Sequence, residues 1–381
     1  MVTMYQTPRG VQYDPLVVEV WPHDGTGPVG RVEMPERVEV TWALKGAGTC
    51  VLEAPLTATT ALLLPADGQY LLVAHFNGLR HIGVPVETVA YTDDAAPHDP
   101  RIRVTTASGW SMLDAQHIPP VPDKPLSQQE SAEYYTLSGP VETVVKRLVS
   151  IGSDRIGHPI VVPPDLGRGP QRTVRARLDT TADLVEDVLR ESGFQLRLDG
   201  WLPGDPPVGG MQLPTAPVLY AQVEPLRHVD GLVWSVAGED IASWEQKNTR
   251  PSATQVIILD RGEGIAQRMY PMRYAPVPSP WARREVTAAQ RDEKDNLTDV
   301  GNRALEGAEA TTSTQVTVSP GPGWEFGADG AYPRQYQVGD YVQLDIPELG
   351  RVEQVITEVV VELTPVSLTV SPKVGTPDDR R

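Results

Sequence analysis

Gly25-Thr26-Gly27-Pro28-Val29-Gly30 fits the GxGxxG pattern that can cradle a dinucleotide pyrophosphate. That chemistry needs a helix directly after the glycines, because its N-terminal amides hold the anion. Here Arg31 to Val40 alternates like a strand and is broken at Pro35, so a hairpin turn is the stronger reading. No GxxxxGK[ST] phosphate cradle occurs. The histidines His23, His75, His81, His98, His117, His158 and His228 form no HExxH and no helical pair. His98-Asp99 could serve a metal or a catalytic site, and a loop between strands explains it equally well.

Nucleophilic hydrolysis would need a Ser in GxSxG on a strand-to-helix elbow. The nearest approach, Gly152-Ser153-Asp154, follows a helix instead and lacks the second Gly. Asp183, Glu186 and Asp187 offer carboxylates for acid–base work, but they fall on the polar side of an amphipathic helix and read as a solvated face. Trp110, Trp201, Trp234, Trp244, Trp281 and Trp324 are dispersed, which suits cores or subunit contacts better than a carbohydrate platform. No catalytic, cofactor-binding or metal-binding residue is assigned, and no cofactor is expected.

The elements that would position such residues fall into three blocks. Residues 1–107 read as about seven short strands: Leu16 to Trp21 alternates, and Asn77-Gly78 is a strong hairpin signal. Residues 108–228 begin with a Pro-rich stretch, Ile118 to Pro125, expected to be an extended connector. Two amphipathic helices follow. One has Val141, Val144, Val145, Leu148 and Val149 on a single face behind Pro140; the other, after Asp179-Thr180-Thr181, carries Leu184, Val185, Val188 and Leu189. Strands return over 229–375, with a helix expected near 287–308. Val359-Val360-Val361, apolar on both faces, should be a central strand. Residues 376–381 are expected to be a flexible tail.

The fold class expected is therefore mainly β with an α+β insertion. At 381 residues, two or three domains are the prior. The 33 Lys and Arg against 50 Asp and Glu give a net charge of −17 and a pI near 4.8. Such a surface opposes nucleic-acid binding, which relies on neutralising phosphates, yet an acidic wall would let DNA slide past. No apolar run reaches the roughly 20 residues of a membrane span, so no membrane insertion is expected. No signal peptide is visible at the start of the sequence. The single Cys50 excludes an intrachain disulfide and reads as a small buried hydrophobe.

Four segments, in this order, carry a resemblance: Arg101-Ile102-Arg103-Val104 leading to Gly109-Trp110-Ser111-Met112-Leu113; Gly139-Pro140-Val141-Glu142 to Val149 followed by Gly167-Arg168-Gly169; Asn248 to Ile257 running into Asp260-Arg261-Gly262-Glu263-Gly264; and Tyr336-Gln337-Val338-Gly339-Asp340-Tyr341-Val342. The chain resembles the tail-hub, or minor tail, proteins of long-tailed bacteriophages of actinobacteria, related to baseplate hubs. The resemblance implies two tube-like β-barrel domains, at 1–107 and 229–375, around a middle α/β domain. It further implies a homotrimer forming a pseudo-sixfold ring at the tail tip of the virion, made in the host cytoplasm. The implied partners are the distal tail protein, the tape measure protein and receptor-binding or tip proteins, with phage DNA passing unbound through the lumen. A hexameric distal tail protein, a contractile-injection hub, and a cell-wall or carbohydrate-active enzyme on a β-scaffold are the competing readings.

Overall fold

The computed structural model describes residues 5–6, 12–13, 16–93, 96–208, 214–260, 262, 264–273, 280–290, 297–305, 308, 311–318, 323–330 and 334–375. The tail expected at 376–381 lies outside these residues, as do Arg261 and Glu263 of the third resembling segment. The chain divides into two compact units: residues 1–243 with 316–377, and residues 244–315 with 378–381.

An 11-stranded sheet dominates the larger unit. Its strands run in the order Arg227–Ser235, Asp340–Ile346, Gly350–Leu363, Arg37–Ala43, Thr49–Pro55, Ala96–Ala107, Leu79–Asp93, Leu71–Phe76, Val17–Trp21 and Gly30–Arg31, and Leu368–Gly375 also pairs with Gly350–Leu363. The two tube-like β-barrels expected at 1–107 and 229–375 are not seen as separate closed barrels among the described residues. Strands of the first and last blocks share this one sheet, and among the described residues no pairing closes it. The join is antiparallel, with Val361 opposite Val40 and Val359 opposite Trp42. On its other edge the same strand pairs Val361 with Val370, so the Val359–Val361 run is central as its composition demands. Val359, Val361, Val38 and Val40 are all fully buried. A strand apolar on both faces is satisfied by whichever partner completes its burial, however distant in sequence.

The middle block packs within the same unit. Short helices α1 (Ala58–Leu63) and α2 (Gly109–Asp114) precede α3 (Val141–Ile156) and α4 (Thr181–Leu189). All five residues of the α3 stripe are fully buried, and those of α4 are 0–6% exposed. Each such side chain contributes about 1.5–3 kcal/mol of burial. The Thr180 hydroxyl accepts from the Asp183 amide to cap α4. Gly157, at φ +75°, ends α3 in the left-handed conformation that glycine adopts without strain. The stripes meet Leu196, Ala221 and Val223 from the antiparallel strands Phe194–Trp201 and Val218–Pro225.

The Pro-rich stretch is not an extended connector. Hydrogen bonds from the Lys124 amide to the Val121 carbonyl and from the Gln128 amide to the Pro125 carbonyl fold it into turns. The Gln129 side chain stitches it: its Oε1 accepts from Val121 N, and its Nε2 donates to the Val121, Lys124 and Pro125 carbonyls. One amide thus supplies the partners that prolines cannot supply to each other.

In the smaller unit, Gln255–Leu259 is the middle strand of three, antiparallel to Met269–Arg273 and parallel to Glu285–Ala289. Helix α5 (Leu297–Leu305) packs on one face, where Val256, Ile258, Val300, Leu305 and Ala308 form a core. The helix expected near 287–308 is therefore shorter. Glu285–Ala289 is a strand, because Val286 and Ala288 alternate inward with a period of two against Val256 and Ile258.

Candidate functional site

Gly25 to Gly30 forms the turn of an antiparallel hairpin, with Val20 opposite Gly30 and Glu19 opposite Arg31. A Cβ on Gly25 would stand 2.0 Å from Pro22 Cγ, so the glycine serves close packing rather than a phosphate. His98 and Asp99 are exposed on the strand Ala96–Ala107 rather than in a loop. Among the described residues no group of three or more His, Cys, Asp or Glu is placed to hold a metal ion.

Ser153 is 1% exposed on α3, where its Oγ accepts from the Gln116 side-chain amide at 3.2 Å, and that amide also reaches His158 Nδ1 at 2.8 Å. Burial lowers the His158 pKa, which disfavours a charged imidazole there. A serine enclosed in this way has no path to a substrate. Asp183 and Glu186 lie on α4, near Asp114 of α2. Burial pushes the Glu186 carboxyl up, nearby Lys45 pulls it back and the neighbouring acids add to the rise; burial and then Asp183 raise the Asp114 carboxyl. Asp187 pairs with Arg190 at 2.5 Å. Trp110, Trp201 and Trp234 are buried, Trp244 and Trp324 half-buried, and only Trp281, 96% exposed, stands free of the protein body. A stacking platform of several tryptophans does not form.

Polar residues concentrate instead at joints between elements. Glu142, fully buried in the first turn of α3, accepts from Lys146 Nζ at 2.6 Å and from Arg168 Nε at 2.8 Å. The Arg168 amide adds a third bond at 3.1 Å. Burial alone would raise the Glu142 pKa, but these donors outweigh it and hold the carboxyl down at about 2. Gly169, at φ +94°, follows; a Cβ there would sit 3.0 Å from Val141 Cβ. The second resembling segment is thus a clasp that ties the start of α3 to the loop after it.

The last resembling segment is a second clasp. Gly339 takes φ +93° and delivers Asp340, 2% exposed, to a bidentate pair with Arg227. The Gln337 amide also donates to Asp340 Oδ2, at 2.7 Å. Asp329 extends the network, accepting from Arg227 Nη1 at 2.5 Å and from the Gln335 and Gln337 side chains. A third joint lies at the Asn77-Gly78 turn, where both residues have positive φ. The buried Asn77 donates its Nδ2 to the Phe326 carbonyl at 2.7 Å, and its own carbonyl accepts from the Ala328 amide.

A cavity of about 110 Å³ with a mixed polar and apolar lining opens between the sheet and the strand Phe194–Trp201. Trp42, Arg80, His81, Arg197 and Gln337 are among its lining residues. Burial lowers the His81 pKa to about 4, so the ring is neutral at ordinary pH. The volume suits a few waters and falls well short of the roughly 300–1,000 Å³ of ligand pockets. What the arrangement does chemically is fix strands and loops from distant parts of the chain. Sequence reading picked out the segments holding Glu142, Arg168 and Asp340 but not their pairings, nor the role of Arg227, since nothing local signals a partner 113 positions away.

The family model for the Siphovirus ReqiPepy6 Gp37-like protein matches residues 17–376. The chain belongs to that family. Its fold is that of phage tail proteins. The 43 kDa tail protein of prophage MuSo2 from Shewanella oneidensis is 13% identical and superposes with a TM-score of 0.56 over 96% of this chain and 99% of that one. The tail protein from Neisseria meningitidis MC58 is 12% identical, with a TM-score of 0.53 over 96% and 98% of the two chains. No curated protein matches significantly. Both clasps, Glu142–Arg168 and Arg227–Asp340, lie inside the matched region.

Proposed function

We propose that this chain is a structural component of the phage tail, specifically a tail-tip (baseplate) hub in the virion. Membership of a siphovirus family across residues 17–376 carries this reading, and the end-to-end likeness to two tail-protein folds supports it. The hub is a homotrimer forming a pseudo-sixfold ring. It joins the tail tube and distal tail ring to tip and receptor-binding proteins, next to the tape measure protein, and phage DNA leaves through its lumen. The net charge of −17 favours passage without adhesion, since phosphates are repelled. Its role is assembly rather than catalysis: Ser153 is enclosed, the tryptophans are dispersed, and the buried polar groups serve as clasps.

Immunogold electron microscopy of virions with an antibody against this chain tests the proposal. Gold confined to the tail tip is the expected result. Label along the tube, or none on intact particles, would overturn the hub reading.

A further inference from the structure

The smaller unit differs from the rest of the chain in charge and in covering. Residues 244–315 hold ten Lys and Arg against ten Asp and Glu, so the whole excess of −17 lies outside them. Three of those cations, Arg268, Arg283 and Arg284, are exposed and form no ion pair with any described residue.

Among the described residues, α5 packs on one face of the three-stranded sheet of this unit and leaves the other face partly exposed. Register fixes what the other face carries. Leu259 lies opposite both Met269 and Ala289, and Ile257 is two residues away on the same side. Gln255 and Glu285 confirm the side, hydrogen-bonding across it at 2.8 Å. Ile257 and Leu259 are half-buried and Met269 is 65% exposed. The connections bracket this face. The hairpin loop after Leu259 presents Ile265, fully exposed, and the connection that leads into Glu285 presents Trp281, 96% exposed. By the strand directions these two stand at opposite ends of the sheet. The apolar patch of Ile257, Leu259, Met269 and Ala289 is joined on this face by Thr287 and the Gln255–Glu285 pair, and with an aromatic at the edge and arginines around it this has the make-up of an interface centre with a polar, charged rim.

We propose that this face docks onto the acidic exterior of the larger unit of a second copy of the chain. The charge complement is specific: a neutral unit with free arginines meets a unit that holds the entire negative excess. Asp114, Asp183 and Glu186 illustrate what the counterpart offers. They lie close to one another on α2 and α4, with Lys45 beside Glu186, and an arriving guanidinium adds a further positive charge to this acidic group. The contact is heterologous, one patch against a different patch, which closes a ring when the rotation allows. The inference rests on the hub reading for its ring and adds the surface that builds it.

Photocrosslinking of the full chain with benzoylphenylalanine in place of Trp281 tests it, using a mixture of light and heavy isotope-labelled chains. The expected product joins residue 281 of one chain to the larger unit of another, and R283E/R284E reduces its yield at least about tenfold, the effect of losing an interface hot spot. Native mass spectrometry of Trp281→Ala should show the same loss of oligomer, with circular dichroism unchanged. Crosslinks confined to one chain, crosslinks to DNA or to another virion protein, or a wild-type chain that stays monomeric would each overturn the proposal. Unchanged assembly of R283E/R284E with Trp281→Ala would also overturn it, yet would leave the hub reading standing, which gold at the tail tip decides separately.

Discussion

Arg227 and Asp340 meet in a bidentate ion pair, Nε to Oδ1 and Nη2 to Oδ2, both at 2.7 Å. The pair locks two parallel strands of the central sheet, Arg227–Ser235 and Asp340–Ile346, at the first residue of each. Burial pushes the Asp340 carboxyl up and the guanidinium pulls it back, while hydrogen bonding to Asp340 raises the Arg227 pKa. The two short bonds and the Gln337 amide favour the ionised pair.

Arg227→Ala should therefore be costly, because it strands a nearly fully buried carboxylate. The expected loss is about 3–5 kcal/mol in urea unfolding of the purified chain. Asp340→Asn, which keeps an acceptor for the Gln337 amide, should cost less. Equal and negligible losses would show that the pair is not structural.

Glu142 sets an acid limit. Its folded pKa, at about 2, lies below the unfolded carboxylate value, so its stabilisation is present above roughly pH 4.5 and is lost as pH falls toward 2. On the order of 3 kcal/mol is at stake over that window. Glu142→Gln should lower stability at pH 7 and flatten the decline between pH 4.5 and 2, as followed by thermal unfolding at stepped pH. A variant with the wild-type acid slope would rule the clasp out as its source.

Gly339 has no tolerant substitute. Its φ of +93° strains any side chain, and a Cβ would stand 2.1 Å from Gln195 Oε1. Gln195 can swing aside, but the backbone strain remains, so Gly339→Ala should cost about 1–3 kcal/mol. Urea midpoints of the variant and wild type check this. Gly27, where an added Cβ would meet open space and φ is not positive, is the control expected to tolerate alanine.

Cys50 is fully buried, and burial raises its thiol to about pKa 12. The native chain should resist iodoacetamide at pH 8 and react completely in denaturant, because only the thiolate attacks. Mass spectrometry after timed quenching reads this out. Rapid native labelling would contradict the packed sheet around Thr49–Pro55.

Much of the local architecture was legible in the sequence. The α3 stripe from Val141 to Val149, the Thr180 cap of α4 and the Asn77-Gly78 hairpin are written in spacing and residue type, and local physics is enough to produce them. Two elements misled. The Ile118–Pro125 run lacks donors and read as extended, but a single glutamine side chain, Gln129, folds it into turns. Residues 287–289 read as the start of the helix expected near 287–308, because a five-residue strand, Glu285–Ala289, gives few period-two repeats to count.

By itself the sequence determined the mainly β character, the inward faces of α3 and α4, the turn glycines and the central place of Val359–Val361. Each follows from periodicity, positive φ or two-sided apolarity, which act over a few residues. Only the tertiary structure decided that strands of the first and last blocks join in one sheet through Val361 and Val40. It alone matched Arg227 with Asp340 and Glu142 with Arg168, and set α5 against one sheet face of the smaller unit. Strand edges and charged side chains accept many partners with similar local energy, so the choice is made by collective burial across the folded chain.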